Sequence, residues 1–300
     1  MSAHPHTTSP SQDTRPLSIV LWITATFLVI EAVGGFLSGS LALLADAGHM
    51  FTDVASLILS LAAFKLSARP RSASRTFGWR RIEIFAALLN GVALWGIALV
   101  IGYEAVIRLR HPIAIRGGLM TAVAAAGLLA NIAGGIVLLR AKERSLNVRG
   151  AFLHVIADAL GSVGVLVAAL LIELTGKTFW DPAVSLVIAA LIVLSSVRLV
   201  RESFNIFMEG VPVDLDAAAL DRALREVPGV LSVHDLHVWT ITSGFISLSA
   251  HLRIRKGTDA RAVLRDANEM LTSRFAIRHS TLQTEEADEP ECPTGTCEGP

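Results

Sequence analysis

Cysteine is almost missing from this chain: Cys292 and Cys297 are the only two in 300 residues. Stability from a disulfide framework is thereby excluded, and the ECPTGTC segment is left as a metal pair or as free thiols. Charge is scarce as well. Asp, Glu, Lys and Arg make up 17% of the residues, and 26 basic against 26 acidic side chains give a formal net charge of zero. No basic face remains once the loop arginines are assigned to topology, which excludes nucleic acid as a partner. The string HExxH does not occur, so an intramembrane metalloprotease lacks its general base. No Asn-x-Ser/Thr sequon occurs and Arg outnumbers Lys, which fits a bacterial inner membrane. Residues 1–16, MSAHPHTTSPSQDTRP, lack an early apolar run. They read as a disordered cytoplasmic tail and not as a signal peptide, with His4 and His6 as its one hint of metal capture.

What the chain has in abundance is hydrocarbon. Hydrophobic residues make up 52% of it and the mean hydropathy is +0.56, values that belong to a membrane protein. The apolar stretches run from Leu17 to Leu37, Leu41 to Leu66, Ile82 to Leu109, Gly117 to Leu139, Ala151 to Leu174 and Ala183 to Val200. Each is long enough to span about 30 Å of hydrocarbon as a helix, which predicts six crossings. Basic residues gather in the second connection (Lys65, Arg69, Arg71, Arg75, Arg80, Arg81) and the fourth (Arg140, Lys142, Arg144, Arg149). Those connections, and with them both termini, are expected to face the cytoplasm.

Ionisable side chains inside such stretches are costly and mark function. His49 and Asp53 lie four residues apart in the second stretch, and His154 and Asp158 repeat the spacing in the fifth. On a helix that offset stacks an imidazole and a carboxylate on one face, about 6 Å apart in rise. For one pair alone, an interhelical hydrogen bond is an equal reading. The recurrence favours a His2Asp2 metal site, suited to tetrahedral Zn2+, with Co2+, Cd2+ and Fe2+ also compatible. Asp46, three residues before His49, is open to two readings: a spare ligand or proton acceptor, or a structural group near the helix start. Glu83, Glu104 and Glu173 fall near span ends, whereas Asn90 and Asn131 lie deeper and are expected to hydrogen-bond between helices.

From Glu209 the composition changes to that of a small soluble domain. A helix over Asp214 to Val227 with Asp216 as cap is followed by strands over Gly229 to Thr242 and Phe245 to Arg255, joined at Ser243-Gly244. A helix from Asp259 to Phe275 and a strand from Arg278 to Thr284 complete it. The fold class expected is an all-α six-helix transmembrane domain plus a C-terminal α+β ferredoxin-like domain covered on one face. The division is 1–16 tail, 17–208 transmembrane, 209–286 cytoplasmic domain and 287–300 Cys-containing tail. The soluble part is rich in metal-ligand types: His234, His237, His251, His279, Glu285, Cys292 and Cys297.

Together SGSLALLADAGHMFTDV, FGWRRIEI, NVRGAFLHVIADALGSVGV, WDPAVSL and GVLSVHDLHVW resemble the cation diffusion facilitator family, in its zinc-transporting, cobalt-zinc-cadmium efflux branch. The likeness covers about residues 17 to 285. It implies a homodimer in the lipid bilayer, not an enzyme, that exports Zn2+ from the cytoplasm in exchange for protons, with no organic cofactor. It assigns transport ligation to His49, Asp53, His154 and Asp158. It draws a cytoplasmic cluster from His234, His251 and Glu285, with His279, Cys292 and Cys297 as a neighbouring site. Two departures stand out. The segment Lys65 to Arg81 holds no His, Asp, Glu or Cys, and residues 141–150 hold no His, so neither loop is expected to capture metal. A non-transporting zinc sensor acting through the soluble domain is the alternative.

Overall fold

Each apolar stretch becomes one helix. In the computed structural model, which describes residues 14–67, 69–70, 72–139 and 146–287, they are α1 (Thr14–Ser38), α2 (Leu41–Ser67), α3 (Ile82–Arg110), α4 (Gly117–Leu139), α5 (Leu146–Thr175) and α6 (Trp180–Phe207). All six are long and apolar enough to cross a membrane. Trp22, Phe36, Leu99 and Leu174 stand uncovered on their outer faces, which a hydrocarbon solvent favours and water opposes. The protein is an integral membrane protein. Helices α5 and α6 extend past the expected Ala151 and Val200, because hydropathy marks only the part of a helix that lies in hydrocarbon. Residues such as Arg201 and Glu202 then carry α6 onward without lengthening the apolar run.

Helix ends follow local chemistry. Helix α3 stops just before His111-Pro112, where the proline ring disfavours helical backbone in the preceding residue. Helix α5 closes on Gly176, whose φ of 68° only glycine adopts cheaply, and whose N–H returns to the Ile172 carbonyl at 2.8 Å.

The chain forms two compact units. The first comprises Met1–Ile58 and Asn90–Val197. Its core joins Leu43 and Ala45 of α2, Leu94 and Ala98 of α3, Met120 and Ala124 of α4, Val165 and Ala169 of α5, and Ile188 and Ile192 of α6. Asn131 Nδ2 donates to Ser162 Oγ at 3.1 Å, the interhelical bond expected of a deep asparagine.

The second unit comprises Leu59–Leu89 and Arg198–Pro300. It carries α7 (Ala217–Arg225), β1 (Val230–Thr242), β2 (Phe245–Ile254), α8 (Ala260–Phe275) and β3 (His279–Glu286). The order helix, two strands, helix, strand is the one expected, and Asp216 and Asp259 cap α7 and α8 as carboxylates do at helix N-termini. Strands β1 and β2 pair antiparallel through a turn at Ser243-Gly244, and β2 pairs with β3 in parallel. Leu220 and Leu224 of α7 and Val263, Ala267 and Leu271 of α8 bury one sheet face with Val233, Val238, Leu248 and Leu252. The opposite face carries His234, His237, Ser249 and His251 together with Trp239 and Phe245, and the element order is consistent with a cytoplasmic ferredoxin-like domain.

Within the same unit, the α2–α3 connection rests on this domain. Phe77 meets the rings of Phe245 and His279 edge-on at 6.5 and 5.6 Å, Arg81 pairs with Glu209 at 2.7 Å, and Glu83 accepts from Thr242 and Ser243 at 2.6 and 3.1 Å.

Candidate metal centre

The start of α2 is held in a polar knot. Ser40 caps it, its Oγ accepting from Leu43 N at 3.2 Å. The fully buried Asp181 of α6 accepts from Ser40 Oγ at 2.6 Å, Leu41 N at 2.8 Å and Ala42 N at 3.1 Å. A carboxylate at a helix N-terminus complements both the free N–H groups and the dipole. Arg108 of α3 donates to the Gly39 carbonyl at 2.6 Å, so two other helices, α3 and α6, fix where α2 begins. The role of Asp181 depends on a partner 141 residues away in the chain, which no local sequence pattern announces.

Two turns further along α2, His49 and Asp53 meet His154 and Asp158 of α5. The two helices bring each histidine opposite the other's aspartate: His154 Nε2 lies 3.1 Å from Asp53 Oδ2, and His49 Nε2 lies 3.9 Å from Asp158 Oδ1. Along each helix the imidazole and carboxylate are 3.7 Å apart. Ligands about 2.0–2.2 Å from one tetrahedral ion stand about 3.3–3.6 Å from one another; His49, Asp53 and Asp158 bring three ligand atoms within 4.8 Å of one another, and His154 stands beside this trio, 3.1 Å from Asp53. The donor set also fits, because His49 Nδ1 and Asp158 Oδ1 are buried without a hydrogen bond. Asp158 is buried, His49 and Asp53 are half-buried and His154 is exposed, giving the cluster one open side.

Behind this quartet lies a residue the sequence reading missed. Glu31 of α1, 1% exposed, faces the buried Asp46 of α2. Its signal was in plain view, a glutamate between Ile30 and Ala32 in the middle of a span, as costly there as His49.

In the soluble domain His234 of β1, His251 of β2 and Glu285 of β3 bring three ligand atoms within 4.8 Å of one another. His251 Nδ1 and Glu285 Oε1 are 2.7 Å apart, and His234 Nε2 stands 3.3 Å from Glu285 Oε2 yet makes no hydrogen bond. Which strand faces these histidines share was open in the sequence; a bulge decides it. His234 pairs with His251 and His237 with Ser249, so β1 carries one more residue than β2 between the two pairs. The extra residue brings His234 and His237 to the same open face. Asp235 occupies the bulge with a φ of 49°, and it accepts or shares a hydrogen bond with His237 at 2.8 Å.

His279 is not brought to this cluster. It begins β3 beside Ser247, six residues before Glu285, a separation of about 20 Å along a strand, and its ring lies against Phe77 and Phe245. Cys292, Cys297, His4 and His6 lie outside the described residues.

Comparison with known proteins adds two family matches. Residues 17–208 match the cation efflux transmembrane domain, and residues 212–287 match the cation efflux protein cytoplasmic domain. Among similar curated proteins, the zinc transporter ZitB of Escherichia coli is 44% identical over 94% of this chain and 92% of its own length. The metal cation efflux system protein CzcD of Cupriavidus metallidurans is 41% identical over 94% and 89%. A cadmium, cobalt and zinc/H(+)-K(+) antiporter of Bacillus velezensis is 39% identical over 95% and 92%.

Proposed function

The chain belongs to the cation efflux family, and from that premise we propose that it is a secondary transporter that exports divalent metal, Zn2+ first, from the cytoplasm by proton antiport. Membership bears out the resemblance read from its motifs and makes the chain a transporter and not an enzyme. The observation that carries the proposal is the facing of His49 and Asp53 with His154 and Asp158 at 3.1–3.9 Å across two span helices. Zinc is here the cargo. It binds deprotonated imidazole and carboxylate, so loading displaces protons and protonation expels the ion. Competition of that kind at one point, with access alternating between the two sides as the helices rock, lets an inward proton gradient drive metal outward.

The working form is a homodimer in a bacterial inner membrane with both termini cytoplasmic. The basic α2–α3 connection and the soluble domain belong to one compact unit, which supports a common side for both. Residues 17–208 form the transport domain and 209–286 the cytoplasmic domain. His234, His251 and Glu285 hold a regulatory or structural zinc; the orphaned Nε2 of His234 supports this. Cys292, Cys297 and His279 are kept as a second, separate capture site.

The test is flux into liposomes carrying the purified protein, with Zn2+, Cd2+, Co2+ and Fe2+ compared under an imposed pH gradient. Zinc flux that follows the gradient is expected. The three-residue cluster of the soluble domain favours a second reading, a membrane zinc sensor, and such a protein would bind zinc in that domain and give no flux.

A further inference from the structure

Among the described residues of the membrane unit, Glu31 is a buried acid that the metal quartet does not use, and its polar neighbour is Asp46. Neither carboxyl oxygen has a hydrogen-bond partner at normal geometry, and it bonds to none of the four proposed ligands. It faces Asp46, itself 5% exposed. Asp46 is the step between Glu31 and the quartet: its Oδ1 packs against Gly161 of α5, where a Cβ would sit 3.6 Å away, one turn beyond Asp158. Three helices thus line up carboxyl groups Glu31, Asp46 and Asp158, running inward from the open cluster.

Asp46, the outer member of the pair, faces Asp158, His49 and Asp53 as well as Glu31, whereas the charge around Glu31 itself is one-sided. The groups that face Glu31 are Asp46 of α2 and, further off, Asp158 of α5. Helix α4 packs on its other side and has no ionisable residue in Gly117–Leu139. The other ionisable residue of α1 is Arg15, about 24 Å away along a helix. A carboxylate in so dry a place, facing another and lacking a cation, costs several kcal/mol. Some positive species must therefore be shared by the pair. The space selects it. At Gly127 of α4 an added Cβ would stand 2.7 Å from the Phe27 ring and 3.1 Å from Glu31 Oε1, so α4 closes on the carboxyl group too tightly for a hydrated metal ion. A proton fits.

We propose that Glu31, paired with Asp46, is a proton-holding site separate from the metal ligands, and that it carries a proton exchanged for the metal. The inference rests on the antiport reading above. When a dication enters the quartet, the O–H bond at the pair breaks and the proton passes by way of Asp46 to water in the open cluster. When the ion leaves, a proton returns and the O–H bond reforms. Nothing is oxidised or reduced, and the only bonds exchanged are O–H bonds.

The test uses the full chain, with Zn2+ as sole ligand. Detergent-purified wild type and Glu31→Gln are titrated with zinc in weak buffer carrying a pH indicator, then compared for zinc flux in liposomes. Glu31→Gln keeps the shape of the neutral acid. It is expected to bind zinc within about threefold of wild type but to release about one proton fewer per ion. Its zinc flux should lose at least about tenfold of its stimulation by an inward proton gradient. A variant that matches the wild-type proton count and pH profile overturns the proposal. Should Glu31→Gln fail to fold, infrared difference spectra of the wild type decide: zinc should remove a protonated-carboxyl band, and no such loss overturns the proposal. If wild type itself shows no gradient-driven flux, the antiport reading has failed. If wild type is driven and Glu31→Gln is driven equally, only the present inference has.

Discussion

At the scale of single residues, the arrangement makes the quartet sensitive to the loss of any one member. Removing Asp158, which is buried, or His49 takes away a quarter of the donor set and leaves the facing side chains without their partner. His49→Ala and Asp158→Ala are each expected to abolish proton-coupled zinc uptake into inside-out vesicles, with the same chromatographic profile as wild type. Undiminished uptake by either would remove it from the ligand set. The sign of the pH effect follows from the chemistry: protons and zinc compete for the same imidazole nitrogens and carboxylate oxygens. Zinc affinity measured in detergent should therefore fall as pH is lowered. The quartet was legible because two identical offsets recur in two apolar stretches. Glu31 escaped because it has no companion at a diagnostic spacing; its partner sits on another helix, and only packing brings them together. Asp46 was visible, but whether it faced a ligand, a proton or a helix end depended on that same packing.

Among the elements, hydropathy found all six helices because the bilayer imposes one rule on each of them: satisfy every backbone group within the segment. It could not find what locks one helix to the next. The knot at the head of α2 is such a lock. Asp181 accepts three hydrogen bonds there while wholly buried, and truncation would strand the Ser40 hydroxyl and two backbone N–H groups. Asp181→Ala should lower stability by at least about 3 kcal/mol, seen as a lower thermal midpoint of the detergent-purified protein, whereas Asp181→Asn should recover a good part of it. An Ala variant with the wild-type midpoint would mean that water satisfies these groups equally well. In the soluble domain alternation located β1 and β2, and Ser243-Gly244 marked their turn. The side on which His234 and His237 emerge was hidden, because strand period alone assumes no bulge, and a bulged residue reverses the parity of everything beyond it.

For the whole molecule, the question is whether its two candidate metal clusters act as one device or two. The quartet is built from α2 and α5, and the second cluster from three strands; they share no residue. Each has its own orphaned donor, His49 Nδ1 in one and His234 Nε2 in the other, so each has a local reason to take an ion whatever the other holds. Substitutions without shared partners add in free energy, and departure from additivity measures coupling. His154→Ala, His251→Ala and the double variant are therefore the informative set, with zinc stoichiometry by calorimetry and flux in liposomes as the two readouts. His154→Ala should lose one class of bound zinc and all flux. His251→Ala should lose the other class and keep measurable flux, as should a chain lacking residues 290–300. A double variant that binds no zinc, with stoichiometries that simply add, makes the membrane quartet sufficient for transport and the cytoplasmic cluster a modulator. If His251→Ala alone abolishes flux, metal must pass through or act from the cytoplasmic cluster on every cycle, and the quartet alone does not account for transport.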